Sequence, residues 1–475
     1  MRPRALIAGL VGVALAATFG LLAGPATPLI VGLTVVLASA LLFWQWPYAA
    51  LLAMLVVRGG VPNIELPNLL IATGGALGLA FSGAPLPPKR ITLPFVAFLA
   101  LALFSVPLTP SGDIAPENKW LVIPIVDVAY FPRGLLEARE WLRVASILVI
   151  CWLAFSVTRT TRDVQRVVAA VLLSGAVCVG WGLWQWVNGM TVVRQGFEGV
   201  AGPFTHASYY AHYLLVIIAI GLAALFTTGP RFLKLLVWVV LPGAVLCLFL
   251  SYSRAAWIGA VVIVAVMAVL EYRRIFVVLA IAVPLAIGFL PQVTANAERR
   301  FADLSPESGA ATANSWNWRK DHWSRMRPLA FEKPLTGHGF GSYHAVAVNE
   351  YGQVNDLGGV GGPDPAAATP SKDNIKGVNA HNDYLKALLE NGVPGVLLWA
   401  AILAGMAGAA FGARGSPEIR GYATALFALT VALMGISAVD NLRDDILVYA
   451  YLAAALGAVL GIAGRGRTND ASQVN

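Results

Sequence analysis

The sequence has 475 residues, of which 58% are hydrophobic and only 12% are charged. Soluble globular proteins carry about 25% charged residues, so this composition excludes an ordinary soluble protein. The net charge of +8 would point to nucleic acid in a soluble protein. In a membrane protein the basic loops account for it, and we expect no nucleic-acid partner.

Apolar runs recur along nearly the whole chain, and most are long enough to cross a hydrocarbon core of about 30 Å. The candidate spans are 5–23, 28–45, 47–58, 68–83, 93–108, 141–157, 165–187, 207–227, 232–250, 255–270, 275–291, 394–412, 419–438 and 445–463. The run 47–58 is short for a crossing and is expected to join 68–83 in a broken or re-entrant arrangement. The sequence therefore predicts an all-α polytopic membrane protein with 12, or up to 14, transmembrane helices.

Along the chain, connections rich in lysine and arginine alternate with connections that are poor in them. The connections of one set each hold at least two basic residues, as at Lys89/Arg90 and Arg273/Arg274. The positive-inside rule makes this set, and both termini, cytoplasmic. The long hydrophilic stretch 292–380 then faces outward, between transmembrane helices in 1–291 and a re-entering segment with further helices in 381–475. All six histidines lie in outward loops or in the outer part of a span, which places any ligand chemistry at the outer surface.

Ser253 and Arg254 lie between two apolar runs. An arginine there is costly unless it is paired or faces water, and its planar guanidinium suits a phosphate or diphosphate. The alternative is that Arg254 extends to lipid headgroups from a helix end. Arg194, the one basic residue of the outward connection 188–206, is a further candidate ligand of an anionic group.

The segment from Trp316 to Pro328 has helical spacing that places Trp316, Arg319, Trp323 and either Met326 or Arg327 on one face. It predicts an amphipathic helix on the outer leaflet that ends at Pro328. A plain interfacial anchor is one interpretation. In the other, Arg319 reaches inward to an anionic lipid-linked group.

Two further segments carry glycine. Residues 334–343 contain Gly337, His338 and more glycines, lack the P-loop and Rossmann patterns, and predict a turn that lets the backbone approach the membrane surface closely. His381 and Asn382 begin a short helix that the Gly-Val-Pro-Gly run from Gly392 breaks or kinks. The positive end of a helix favours neutral imidazole, the form needed by a general base. A lone histidine at a membrane boundary is more often structural, but the accompanying motifs favour a base.

The chain also carries an acidic cluster, Asp440, Asp444 and Asp445, beside Arg443. No Asp-x-Asp pattern occurs in the sequence. We interpret the cluster as ion partners of Arg443 or another arginine, in preference to a metal site.

The order and spacing of these motifs resemble the O-antigen ligase/polymerase superfamily of membrane glycosyltransferases, by motif over about 200–400 and elsewhere by hydropathy. His381-Asn382 and the glycine run at 392–396 match the ligase signature, and Gly337 to Gly341 is similar to the family's glycine-rich turn. Gly202-Pro203-Phe204 is similar to an outer-loop element, but the usual asparagine is missing and no role is carried onto it.

The resemblance implies a GT-C-like fold in the bacterial inner membrane and a periplasmic active site. The reaction it implies transfers O-antigen polysaccharide from undecaprenyl diphosphate to the lipid A-core oligosaccharide, with membrane lipids as surroundings. His381 would be the general base and Arg254 and Arg319 would hold the diphosphate. Arg194, His338, Ser253 and Asn382 are further substrate-binding candidates. Inverting displacement of this kind needs no cofactor and no metal.

Three alternatives remain open: an O-antigen polymerase, a pilin-type protein O-oligosaccharyltransferase, and a transporter of lipid-linked glycan. A transporter should place buried charges at mid-membrane and often shows internal repeats. Here the charges gather at the outer rim, which favours an enzyme.

Overall fold

The computed structural model describes residues 27–60, 71–108, 122–123, 126–127, 133–194, 197–204, 206–274, 315–343, 346–347, 380–443 and 445–473. The α-helices within these ranges are α1 Thr27–Gln45, α2 Pro47–Gly60, α3 Ala76–Phe81, α4 Lys89–Ser105, α5 Arg133–Val157, α6 Thr161–Val187, α7 Ala207–Phe226, α8 Arg231–Leu250, α9 Arg254–Leu270, α10 Ser315–Glu332, α11 Asp383–Ala413, α12 Arg420–Ile436 and α13 Ile446–Gln473. A π-helical turn, Ile71–Gly75, precedes α3, and a 3-10 turn, Val106–Leu108, follows α4.

The strands of the described part form two small antiparallel hairpins. In the first, β1 (Val122–Ile123) pairs with β2 (Val126–Asp127). In the second, β3 (Val192–Arg194) pairs with β4 (Phe197–Gly199). Apart from these hairpins the described chain is helical.

Seven helices of the described chain are long and apolar enough to cross a membrane, or eight if a bent pair counts as one span. The predicted helical, polytopic membrane architecture is therefore confirmed. The bent pair is Val36–Gln45 with Pro47–Gly60, at 118°. The short run at 47–58 is therefore paired with the helix before it, whereas the predicted partner was 68–83. The predicted spans 5–23 and 275–291 lie outside the described residues. The count of 12 to 14 helices and the GT-C-like likeness stay predictions.

The ends of the long helices gather at two places in the molecule. At one end the Arg414 guanidinium donates to the Leu270 carbonyl, over 3.2 Å. At the other, the Asp383 N–H donates to the Ser437 carbonyl, over 2.7 Å, where α11 begins and α12 has ended. The basic-loop pattern predicts that this second end faces outward, and we call it the outer end. The starts of α7, α9, α11 and α13 meet there.

The helix of the large loop, α10, does not end at Pro328 as predicted, because it continues to Glu332. Proline in a helix interior removes a hydrogen bond and costs about 3 kcal/mol. The flanking side chains of Met326 and Ala330 are completely buried in a cluster that includes Leu389. This packing against α11 carries the helix through the proline.

The predicted face of α10 is confirmed, but its partner is protein. Trp323 is buried, and its indole N–H donates to the Ala380 carbonyl over 2.8 Å. Trp323 is therefore covered by protein on this face. The same face carries Arg319 toward the start of α11.

A candidate active site at the outer end

His381 stands two residues before α11, in contact with an acid and an arginine. Its Nδ1 lies 3.2 Å from Asp440 Oδ1 and 3.3 Å from Arg319 Nη2. Its backbone N–H donates to Asn441 Oδ1 over 2.6 Å, and its φ is 46°. That left-handed conformation is uncommon for a residue with a side chain and persists only where neighbours impose it. Asp440 and Asn441 therefore fix both the backbone and the ring of His381.

The connection between α12 and α13 lies against the start of α11, where two side chains accept backbone hydrogen bonds. Asn382 Oδ1 accepts from the Leu385 N–H over 2.9 Å, which is an N-cap contact. Both carboxylate oxygens of Asp383 lie 3.1 Å from the Arg443 N–H, which donates to them. The bond from the Arg443 N–H to Asp383 holds this connection against α11, and this brings Asp440 to His381. Asn382 is thus the helix cap, and its predicted contact with substrate stays a prediction.

Asp440 is a buried carboxylate anion. Burial raises its pKa, but the hydrogen bond with His381 and the charges of Arg319 and His212 outweigh burial and hold the pKa well below its usual range. Arg319 Nη2 lies 3.8 Å from Asp440 Oδ1. The predicted pairing of the acidic cluster with an arginine is confirmed for Asp440, with Arg319 as the arginine. Asp444 lies outside the described residues.

Arg443 has a different partner. Its guanidinium is buried, forms an ion pair with Glu390, and lies over the rings of Phe98 and Phe340 at 6.0 and 5.5 Å from their centroids. It joins α11, α4 and the glycine-rich turn behind the site.

The glycine-rich turn and the kink of α11 are backbone partners. The N–H groups of His338 and Gly339 donate to the carbonyls of Leu389 and Glu390, over 2.8 and 3.0 Å. Gly392 has a φ of 66° inside α11, which confirms the predicted kink. The backbone of the turn closely approaches α11, and its predicted approach to the membrane surface stays a prediction.

His338 is turned toward α10. Its Nε2 lies 2.8 Å from the Leu329 carbonyl and 4.0 Å from Glu332. These contacts hold the end of α10, where helical carbonyls lack partners. A contact of His338 with substrate stays a prediction.

Arg254 begins α9 at the same outer end and is half-buried. Ser253 precedes it as a buried N-cap residue without a side-chain cap bond. One turn deeper, Gly259 lies against Ile436, whose carbonyl accepts the Asp440 N–H over 2.9 Å. Arg254 therefore shares the outer end of the α9–α12 pair with Asp440, and the contacts of His381 at this end include Arg319, Asp440 and Asn441. Arg194 ends β3, and its predicted role is untested.

Sequence reasoning missed His212 and Arg143. His212 is fully buried in α7, with Nε2 3.7 Å from Asp440 Oδ2 and Nδ1 3.7 Å from Asp445 Oδ2. Arg143 of α5 acts electrostatically on Asp445. The available signal was the position of His212 within an apolar run, since ionisable residues inside a membrane are costly and often functional.

The sequence around this site matches a known protein family. Residues 235–400 match the family model described as O-antigen ligase. The matched stretch runs from α8 into α11 and includes Arg254, Arg319, His338 and His381. No curated protein matches the sequence. The chain therefore carries an O-antigen ligase family domain, which confirms the family that its motifs predicted.

Proposed function

We propose that this protein transfers O-antigen polysaccharide from undecaprenyl diphosphate to the lipid A-core oligosaccharide at the periplasmic face of the inner membrane. The observation that carries the proposal is the contact of the His381 ring with both Asp440 and Arg319. A base, its orienting carboxylate and a cation thus lie together within an O-antigen ligase family protein.

His381 is the general base in this proposal. A sugar hydroxyl is a poor nucleophile and needs a proton acceptor within hydrogen-bond reach. When Nδ1–H donates to Asp440, Nε2 carries the lone pair that accepts the hydroxyl proton. The hydroxyl oxygen then bonds to the anomeric carbon, and the carbon–oxygen bond to the diphosphate breaks with its electrons left on the diphosphate. Attack opposite the leaving group inverts the anomeric centre.

Arg319 and Arg254 stabilise the charge that develops on the leaving diphosphate. Preorganised donors in a water-poor site are effective at this task. Arg319 Nε is buried and has no hydrogen-bond partner among the described residues. It therefore retains a donor for an anionic ligand while Nη2 contacts His381 and Asp440.

The test is transfer by purified protein in nanodiscs, with lipid-linked glycan and three acceptors offered separately: lipid A-core, a second lipid-linked glycan, and a pilin-like peptide. We expect extension of lipid A-core, and loss of about 10²- to 10⁴-fold in rate for His381→Ala. His206→Asn is the matched control, since His206 caps α7 and asparagine preserves an N-cap.

Other outcomes would overturn parts of the proposal. Full transfer by His381→Ala would remove the base. Extension of only the second lipid-linked glycan would assign a polymerase, and extension of only the peptide a protein glycosyltransferase. Loss of transfer in chelator with recovery in a divalent cation would exclude the metal-independent mechanism.

A further inference from the structure

We infer that His212 is a positioning residue: a buried imidazolium that bridges Asp440 and Asp445 and so keeps Asp440 available to orient His381. The bridge itself follows from the geometry, and its effect on catalysis rests on the proposed function.

The His212 ring lies between the carboxylates of Asp440 and Asp445. The side chain is completely buried, and each ring nitrogen lies 3.7 Å from a different carboxylate oxygen. Neither nitrogen has a hydrogen-bond partner within the described part of the chain. Neutral imidazole has one N–H and one lone pair, so it would direct a lone pair at one carboxylate. Only the imidazolium presents an N–H to both sides.

The two carboxylate oxygens of Asp440 face different partners. Its Oδ1 faces His381 and Arg319, whereas its Oδ2 faces His212. His212 therefore leaves the oxygen used by His381 unobstructed. The charge of His212 stabilises the Asp440 carboxylate through Oδ2, so it does not compete with the His381 ring at Oδ1.

The cluster brings two buried acids close to a small number of cations. The pKa of Asp445 is raised to about 6, because burial and the neighbouring Asp440 raise it by more than His212 and Arg143 lower it. Two carboxylates in a buried place disfavour each other's ionised form. Arg319 and His381 face Asp440 from the other side, so His212 is the group placed between the two acids. Without its charge, we expect one acid to take up a proton at a higher pH.

Protonation of Asp440 would remove the acceptor that orients His381 Nδ1–H. His212 thus acts on the reaction through Asp440, without touching either substrate. A space-filling role predicts a different response, because it depends on the volume of the His212 side chain and not on the charge of Asp445.

The experiment compares His212→Gln, Asp445→Asn and the double variant, assayed for transfer between about pH 5.5 and 8.5. Glutamine is polar, similar in size and uncharged. We expect His212→Gln to lower kcat at least about 10-fold with little change in KM, and to move the acidic limb of the profile upward by about one unit. Asp445→Asn in the His212→Gln background should restore most of the rate, because it removes the repulsion that His212 had offset.

Tyr213→Phe is the matched control. It alters the next residue of α7, where the Tyr213 hydroxyl lies 2.8 Å from Ser174 Oγ and away from the acids. An unchanged kcat and acidic limb in His212→Gln would overturn the inference. So would a loss that Asp445→Asn fails to relieve, since that result would indicate packing.

Thermal unfolding separates this inference from the proposed function. We expect His212→Gln to lower Tm and the double variant to recover it, whatever reaction the protein performs. Rescue of Tm with no transfer by the wild type would leave the bridge intact and overturn the proposed function. Transfer by the wild type without rescue of either Tm or kcat would overturn the bridge alone.

Discussion

Gly337 and Gly392 occupy left-handed backbone conformations where the glycine-rich turn crosses the kink of α11, with φ of 67° and 66°. A Cβ on Gly337 would lie 2.4 Å from the Glu390 carbonyl, and one on Gly392 would lie 2.5 Å from the Pro334 carbonyl oxygen. Neither backbone atom is able to move like the end of a side chain. Both residues thus need glycine for two reasons, conformation and space, and their crossing sets the position of α11 below His381.

We therefore expect Gly392→Ala to destabilise the protein. A left-handed residue with a side chain costs about 1–3 kcal/mol, and the backbone clash adds to that cost. Thermal unfolding in detergent should show a clear fall in Tm. Gly408→Ala is the control, because it lies in the same helix and its added Cβ would meet nothing within 4 Å. An equal Tm for the two variants would contradict the crossing.

Asp440→Asn tests the orientation of the base. Asparagine keeps the shape but removes the charge that stabilises the protonated ring of His381. We expect kcat to fall about 10²-fold or more with KM nearly unchanged. Asp321→Asn is the control, since Asp321 is exposed on α10 and pairs with Arg325 at the surface. Activity of Asp440→Asn close to wild type would show that His381 needs no carboxylate partner.

Much of the membrane architecture could be predicted from the sequence. The predicted spans 165–187 and 207–227 became α6 and α7 at Thr161–Val187 and Ala207–Phe226. The reason is physical, because a long apolar run in lipid must satisfy its backbone within itself. The kink at Gly392 was predictable from local chemistry, because packing does not override the local rule there. At Pro328 the same kind of rule was wrong, because packing against α11 outweighs it.

The complete site could not be predicted in this way. His381 and Arg319 were singled out by motif, but Asp440 became the partner of His381 only because the connection after α12 is fastened across the start of α11. His212 reaches Asp440 from another helix altogether. No local periodicity relates positions so far apart, and such contacts follow from how the helices pack.

The buried side chain of His322 should make the stability of the large loop sensitive to acid. Burial, with smaller effects of His381 and Arg325, lowers its pKa from 6.5 to about 3. Because the folded state favours the neutral ring, its stabilisation is complete above pH 6.5 and is lost as the pH falls toward 3. Between pH 7 and 5 the loss should be about 2 kcal/mol, since each pH unit below 6.5 costs about 1.4 kcal/mol.

The measurement is Tm of wild type and His322→Gln at pH 7 and 5. Glutamine is able to bond the Tyr343 hydroxyl, which lies 2.7 Å from the His322 Nε2, but it does not titrate. We expect the wild type to lose more stability than the variant on acidification. Equal losses would place the acid-sensitive group elsewhere.

Glu390→Gln tests the ion pair behind the site. The pair with Arg443 is fully buried, and removing one member of such a pair costs about 3–5 kcal/mol because the other charge stays without compensation. Tm and transfer should fall together, because Arg443, the partner of Glu390, packs over the rings of Phe98 and Phe340 behind the site. Glu271→Gln is the control, because Glu271 pairs with Arg414 at 3.8 Å where both side chains are about one-fifth exposed. Loss of transfer by Glu390→Gln at an unchanged Tm would instead place Glu390 in the chemistry.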